Sequence, residues 1–292
     1  MKLNFYILIL IFICVSTLVN AEPWKFSADA SLAVTQIGYS DNWTGVELGS
    51  FTWIAASNSS AEKQINSIMN DKTTLKLAFG QTHSQRRNTY GDKYWSMPEK
   101  STDKVDLESV LKFTLQSYVD PFISGRLETQ FLDLADTSMT KTLNPLKFTE
   151  SGGVSRTLIK QDNQNLNMRL GAALRQKMNR QKLDDVTGDR KTYTTNDGGI
   201  DFITEYNKVF VPKNISYVSR LQVFQAIFNS KEKELDNNYW KTADVTWENT
   251  LSMKVWSIVT TTLTFKLVYD KELDKKAQYK ETLTLGASYK FF

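Results

Sequence analysis

Side chains able to carry out acid–base or nucleophilic chemistry are few in this 292-residue chain. His83 is the only histidine and Cys14 the only cysteine. Zinc sites of the Cys/His kind and Cys–His catalysis both need more of these residues, so the composition argues against them. Ser84 follows His83 directly, but adjacent residues on a strand point to opposite faces, so this base and nucleophile would not meet. We predict that His83 is a rim residue without a catalytic role.

Carboxylate pairs are the remaining source of hydrolytic chemistry. Asp106 with Glu108, and Asp201 with Glu205, would each share one face of an alternating strand and form a candidate acid–base pair. Inward carboxylates in this pattern more often pair with arginine, so hydrolysis is kept as an alternative. The acidic stretch 270–274 lacks the glycine and the spacing of a calcium loop. We therefore expect no catalytic residue, no metal site and no cofactor.

The first residues have the pattern of an export signal. A short positive start precedes the apolar run 7–15, and the small residues of 19–21 suit a signal peptidase. We predict a secretory signal peptide over residues 1–21 and a single mature domain over 22–292. The predicted signal contains the only cysteine, so the mature domain would fold without a disulfide.

Period-two alternation of apolar and polar residues runs through the rest of the chain and predicts strands, each with one apolar and one polar face. The clearest runs are 105–115, 166–174, 245–255, 259–269 and 283–291. Weaker runs are 24–36, 45–66, 72–83, 122–133, 146–159, 198–210 and 214–228. Gly152 and Gly153 interrupt one of these weaker runs and predict a bulge or a bend.

The connections between the predicted strands alternate in length. Short ones are 118–121, 160–164, 211–213 and 256–258, and long polar ones are 84–103, 134–145, 178–197 and 229–241. Tight turns at one end and larger loops at the other are typical of bacterial outer-membrane barrels. We predict an all-β fold, a single antiparallel transmembrane β-barrel of about twelve strands. A soluble sandwich or a lipocalin-like barrel would also alternate, but the former lacks a linker and the latter uses fewer strands.

Aromatic residues cluster near the predicted strand ends, as they do at membrane interfaces. Those expected near the periplasmic rim are Trp24, Tyr118, Phe122, Tyr206, Phe210 and Trp256. Those expected near the outer rim or in the outer loops are Tyr39, Trp43, Tyr90, Tyr94, Trp95, Tyr193, Tyr239, Trp240 and Trp247.

Charged residues on the polar faces are expected to point into the barrel, because a lysine or arginine facing lipid near the midplane would cost about 2–4 kcal/mol. The residues predicted to line the lumen are Lys112, Arg126, Glu128, Arg169, Arg175, Arg220, Glu248 and Lys266. They could form a network that fills and stiffens the interior, or a charged constriction that selects small solutes.

The C-terminal segment 283–292 resembles the closing strand of bacterial outer-membrane barrels, which ends in an aromatic residue read by the barrel-assembly machinery. This resemblance implies that Tyr289, Phe291 and Phe292 form the assembly signal. Four further stretches resemble an uncharacterised family of outer-membrane barrels from Bacteroidota-like bacteria: Asn42-Trp43, Thr73–Gly80, Glu128–Phe131 and Asn144–Gly153. The family resemblance implies a fold and a location, and no catalytic residues.

The sequence therefore predicts an exported protein of the bacterial outer membrane, acting as a narrow passive pore or as a structural envelope barrel. Expected partners are outer-membrane lipid, the barrel-assembly machinery and small solutes. A net charge of only +4 and export both argue against nucleic acid. The alternatives are a barrel hydrolase for lipid or glycan, and an adhesion barrel that binds through the loops 84–103 and 178–197.

Overall fold

A computed structural model of the protein describes residues 23–40, 47–115, 117–134, 141–182, 190–210 and 214–291. The predicted signal peptide lies outside these described residues. No helix among them is long and apolar enough to cross a membrane.

In the described part of the chain, twelve long antiparallel strands make one closed sheet, and we number them in chain order. They are β1 (Lys25–Ile37), β2 (Ser50–Gln64), β3 (Met69–Arg87), β4 (Glu99–Phe113), β5 (Asp120–Thr129), β6 (Leu146–Gln161), β7 (Gln164–Lys182), β8 (Arg190–Phe210), β9 (Ile215–Asn229), β10 (Asp244–Lys254), β11 (Val259–Tyr269) and β12 (Gln278–Lys290). Each strand pairs with its neighbour in sequence, and β1 closes on β12 by pairing Asp29–Ala33 with Gly286–Lys290. The prediction of a twelve-stranded antiparallel barrel is confirmed.

The two faces of the sheet differ as the alternation predicts. Leu170, Leu174 and Leu283 point outward, and each exposes about half of its surface or more. Arg169, the neighbour of Leu170, is buried instead. An apolar exterior of this extent matches lipid rather than water, and a closed barrel leaves no sheet edge to be satisfied in the membrane. The fold is therefore that of a transmembrane β-barrel.

The barrel has a turn end and a loop end. The connections 65–68, 162–163 and 255–258 lie at the turn end, together with Trp24 and Phe291 near the two ends of the chain. The longer connections lie at the loop end. One of them carries the short strand Lys93–Trp95, which pairs with the end of β3.

The predicted loop 178–197 is largely strand in the structure. β7 and β8 pair continuously from Gln164 with Lys208 to Lys182 with Arg190. The sequence concealed this extension because polar residues such as Thr192 and Thr194 erase the hydrophobic alternation beyond the membrane. Threonine retains a high strand propensity there, so the hairpin continues into the aqueous region.

The predicted bulge at Gly152 and Gly153 is not where the register shifts. Pairing between β6 and β7 is regular at both glycines and shifts instead between Leu166 and Asn167. A Cβ at Gly153 would lie 2.2 Å from the backbone oxygen of Leu170, whereas the closest atom to a Cβ at Gly152 would be 3.7 Å away. Gly153 thus permits two backbones to approach closely, which is the other common role of a strand glycine.

Candidate functional site

The interior of the barrel is identified by contacts between strands that are not neighbours in the sheet. Side chains of β4 reach β7, β9 and β10, and a side chain of β12 reaches β4. In a closed barrel with an uncovered outer face, such contacts cross the lumen. The residues that make them define the inward face of each strand.

Glu108 on β4 lies at the centre of one buried ion-pair cluster. Its Oε1 accepts a hydrogen bond from Arg169 Nη2 at 2.6 Å, and its Oε2 accepts one from Arg220 Nη1 at 2.8 Å. Arg220 also pairs with Glu205 on the adjacent strand β8. Two carboxylates therefore balance two guanidinium groups, which is the condition for keeping charges in a dry interior.

A second cluster surrounds Arg126 on β5. Its Nε and Nη2 donate to the two carboxylate oxygens of Asp106, each at 2.9 Å, in a bidentate pair. Arg126 Nη1 crosses the lumen to Gln222 Oε1 at 2.8 Å. Glu128 extends the cluster by pairing with Arg126 at 3.1 Å and with Lys147 at 3.1 Å. Together these bonds hold β4, β5, β6 and β9 at fixed separations.

A third cluster is more accessible to solvent and has Glu248 on β10 at its centre. Lys104 reaches it across the lumen at 3.2 Å, and Lys266 on β11 reaches it at 2.9 Å. Lys280 on β12 crosses to β4 and donates to the backbone oxygen of Ser101 at 2.7 Å. A lysine of β12 can reach β4 only where the lumen is narrow, so these contacts mark a constriction.

The two remaining residues of the predicted lumen set also have partners inside the barrel. Lys112 pairs with Asp120 at 3.0 Å. Arg175 pairs with Asp244 across the lumen at 2.7 Å and with Asp197 at 3.6 Å. The structure therefore places all eight predicted residues on the inward face and gives each an ionic partner. Their role as the lining of a solute path stays a prediction.

Trp240 lies in an outer loop, as the sequence predicts, but its side chain does not face the membrane interface. It is 4% exposed and packs in one cluster with Ala173, Phe224 and Ala226. Ile227, next to Ala226, is outward and 66% exposed, so nothing covers the outer face there. The short 3-10 turn Tyr239–Lys241 in the connection between β9 and β10 therefore turns Trp240 into the loop end of the lumen.

Phe122 is a second aromatic residue whose direction the sequence did not predict. It lies near the turn end, where it was expected, but its side chain is buried inside the barrel. The guanidinium carbon of Arg169 lies 5.6 Å from its ring centroid, and that of Arg175 lies 3.5 Å from the ring of Phe224. Both arrangements are cation–π contacts. Strand alternation could have predicted this inward direction, because Phe122 lies on the same face of β5 as Arg126.

Burial divides the interior into two halves. We define the packed half as β4–β9, where inward residues such as Glu108, Arg126, Arg169, Ile203 and Arg220 are buried. We define the open half as β10–β12 with β1–β3. Inward positions on four of its strands hold small side chains that all remain in contact with solvent: Thr262, Thr264, Thr282, Thr284, Ser288, Ser31, Ala56 and Asn58. The inward surface of this half is therefore less filled by large side chains than that of the packed half, and the name open half refers to this contrast.

The candidate hydrolytic carboxylates do not form a free acid–base pair. Asp106 is held by Arg126, Glu108 by two arginines and Glu205 by Arg220. Asp201 accepts a hydrogen bond from the side-chain nitrogen of Gln222 at 3.0 Å. Within the described ranges, no group of three or more His, Cys, Asp or Glu side chains is arranged to bind a metal ion. The geometry favours the structural interpretation of these carboxylates.

His83 and Ser84 lie side by side on β3 near its loop end. His83 is paired with Phe51 and Ser84 with Ser50, in a regular antiparallel register. Adjacent residues of a regular strand face opposite sides of the sheet. The two side chains are therefore separated by the wall of the barrel, as the sequence predicts.

Aromatic rings mark both interfaces on the outer surface. Near the loop end, Trp247, Phe265 and Tyr279 form a ladder across β10, β11 and β12, with successive ring centroids 6.2 Å apart. At the turn end, Tyr289 and Phe291 contact each other at 5.0 Å. Phe292, the third residue of the predicted assembly signal, lies outside the described residues, as does Trp43. Rings at both ends with apolar residues between them are the pattern of a membrane-spanning barrel.

These features define the class of protein: the chain is a transmembrane β-barrel of the outer-membrane type, with a polar interior that is densely packed on one side and lined mainly by smaller side chains on the other. No family model matches the sequence, and no curated protein matches it. The resemblance to the Bacteroidota-like barrel family therefore stays a prediction.

Three solved structures that are similar to this chain are remote from it in sequence. An outer membrane channel from Pseudomonas putida F1 is 11% identical, with 94% of this chain and 96% of that chain covered and a TM-score of 0.40. The translocator domain of the autotransporter NalP from Neisseria meningitidis is 6% identical, with 99% and 94% covered and a TM-score of 0.37. The NanC porin is 8% identical, with 90% and 98% covered and a TM-score of 0.33. At these scores the likenesses carry no functional argument, and the class rests on the closed sheet and its two faces.

Proposed function

We propose that this protein is a narrow passive pore of the bacterial outer membrane, and that small hydrophilic solutes cross it along the open half of the lumen. The observation that carries the proposal is the contrast between the two halves. The packed half contains large inward residues that are buried, whereas β11, β12, β1 and β2 carry, beside Lys266 and Lys280, mainly small inward residues that contact solvent. Small hydroxyl side chains suit a path for solutes because they offer hydrogen bonds without filling the space.

The ion pairs of the packed half give the path a rigid wall. Arg126 and Arg220 connect strands on opposite sides of the lumen, and their partners are fixed at hydrogen-bond distance. Because those charges are paired and buried, that side offers no route for a hydrated solute. The path is therefore eccentric, and the constriction near Lys280 limits it to small solutes.

Planar bilayers test the proposal directly. Purified folded protein should give stable conductance steps. Thr284→Trp places a large ring on the inward face of β12 and should reduce the step size severalfold. The matched control is Leu285→Trp at the next position, which is outward and 56% exposed and should leave the step unchanged. Unfolding profiles of both variants in detergent establish that each barrel is intact.

Silent bilayers with a correctly folded barrel would contradict the proposal. Turnover of lipid or glycan substrates would then favour the hydrolase alternative, and Asp106, Glu108, Asp201 and Glu205 would become the positions to mutate. Binding to a cell surface or matrix that is lost on deletion of 84–103 would favour adhesion. Absence of all three activities would leave a structural barrel.

The location and assembly route belong to the same proposal. Export through the signal over 1–21 would deliver the chain to the periplasm, and Tyr289 with Phe291 would present the C-terminal signal to the barrel-assembly machinery. Both rings lie on the outward face at the turn end. Membrane fractionation, combined with deletion of residues 1–21, tests this route.

A further inference from the structure

Four lysines meet at one level of the lumen, three on strands of the open half and one on β4, and we name them the lysine collar: Lys76, Lys104, Lys266 and Lys280. Lys76 on β3 is paired in register with Asp106, which Lys104 contacts at 3.4 Å. Lys266 on β11 is paired in register with Glu248 on one side and with Lys280 on the other. Since Lys104 also reaches Glu248 across the lumen, the two pairs of lysines face the same space.

The collar has more positive than negative charge. Both oxygens of Asp106 are occupied by the bidentate contact with Arg126. Glu248 is shared by two collar lysines. Within the described residues, Lys76 and Lys280 have no carboxylate at ion-pair distance, so two ammonium groups are not neutralised by the protein. A narrow passage with this surplus has a positive potential, which raises the local concentration of anions.

Two of the collar lysines are accessible in a way that the arginines of the packed half are not. The side chain of Lys266 is 40% exposed and that of Lys104 is 30% exposed, whereas those of Arg169 and Arg220 are 7% and 9% exposed. An exposed lysine ammonium is a strongly hydrated point charge on a flexible stem, so it attracts an anion without holding it in a fixed fork. Conduction requires binding that is favourable enough for entry and weak enough for release.

We propose that the lysine collar makes the pore selective for small anions and provides a weak binding site for solutes that carry a carboxylate or phosphate group. The inference rests on the proposed pore and specifies its substrate class. Thr262 on β11 and Thr282 and Thr284 on β12, the strands that also carry Lys266 and Lys280, supply hydroxyl groups beside the collar for the neutral parts of such a solute.

Reversal potentials in a potassium chloride gradient test the selectivity. The wild-type barrel should reverse toward the chloride equilibrium potential, and Lys266→Gln should shift the reversal potential toward zero. Lys147→Gln is the matched control. Lys147 is an inward lysine of the packed half, 35% exposed and paired with Glu128 at 3.1 Å, much as Lys266 is 40% exposed and paired with Glu248 at 2.9 Å. The Lys147→Gln variant should therefore have the reversal potential of the wild type.

Inorganic phosphate and citrate then test the binding site. Added to one side, each should reduce the chloride current of the wild type, and Lys266→Gln should weaken that block. Conductance without anion preference, or an equal shift of the reversal potential in the Lys147→Gln control, would refute the role proposed for the lysine collar without contradicting the proposed pore. Absence of conductance in the wild type would instead refute the pore itself, so the two failures are distinguishable.

Discussion

Removal of the charge on Glu108 should destabilise the barrel strongly, although the substitution changes neither size nor shape. In the wild type, Glu108 accepts hydrogen bonds from Arg169 and Arg220, and both guanidinium groups are buried. Glu108→Gln leaves one negative charge, that of Glu205, to balance two buried positive charges. The amide nitrogen of the new side chain would also face a guanidinium group, where only an acceptor is suitable.

The expected cost follows from burial rather than from distance. Breaking a buried pair by removing one partner costs about 3–5 kcal/mol, because a charge remains in a poorly solvated interior. The chain offers a control at the same separation. Arg86 and Glu99 pair at 2.6 Å, as Arg169 and Glu108 do, but their side chains are 55% and 64% exposed. Glu99→Gln should therefore cost no more than about 1 kcal/mol.

Equilibrium unfolding in urea, with the protein in detergent micelles or thin bilayers and tryptophan fluorescence as the probe, measures both variants against the wild type. Glu108→Gln should lower the midpoint clearly, and Glu99→Gln should overlap the wild-type curve. Equal and small shifts for the two variants would show that Glu108 is hydrated in the folded barrel. The division of the lumen into packed and open halves would then be wrong.

Three further substitutions test other parts of the structure. Trp240→Ala should lower the free energy of unfolding by about 3–5 kcal/mol because it empties a buried site, and Trp256→Ala, at a position that is 77% exposed at the turn end, is the control for stability. Trp240→Ala should leave the single-channel conductance near the wild-type value because the ring of Trp240 lies in the packed half. A large rise in conductance would show that the solute path runs through the packed half instead. Gly153→Ala should prevent folding because the new Cβ would lie 2.2 Å from a backbone oxygen, whereas Gly152→Ala should fold because the atom closest to its Cβ would be 3.7 Å away. Heat-modifiable migration on gels measures folding of both variants. Similar behaviour of the two would refute the close approach of β6 and β7. Phe291→Ala should reduce the amount of folded barrel in the outer membrane of expressing cells without changing the stability of the purified protein, and unchanged assembly would exclude this ring as the signal.

Much of the fold could be predicted from alternation because the membrane imposes it on every strand. Leu107 and Glu108 occupy adjacent positions, and only one arrangement puts the first in lipid and the second in the lumen. The same rule places Arg169 inside and Leu170 outside. The rule of alternation fails beyond the membrane. The threonine-rich end of β8 has no face in lipid there, so its sequence is like that of a polar loop.

The division of the lumen could not be predicted from local pattern, because it depends on which inward residues meet across the barrel. Glu108 and Arg220 are 112 residues apart, and Lys104 and Glu248 are 144 residues apart. Alternation assigns all four to the interior but contains no information about their partners. The burial of Trp240 in the lumen was missed for a related reason, since a loop residue has no strand parity from which the direction of its side chain can be inferred.

The asymmetry of the interior has a physical consequence for any sequence that folds in this way. Twelve strands enclose more space than one ring of side chains can fill evenly. Here the long charged residues are concentrated on β4–β9, where pairing neutralises them and they bury one another. Apart from Lys266 and Lys280, the strands β11, β12, β1 and β2 face that block mainly with short side chains such as threonine, serine and alanine. Because unfilled polar cavities are unfavourable, we expect water in the space that these short side chains leave. The same distribution of side-chain size that stabilises one half of the barrel would then keep the proposed path open in the other half.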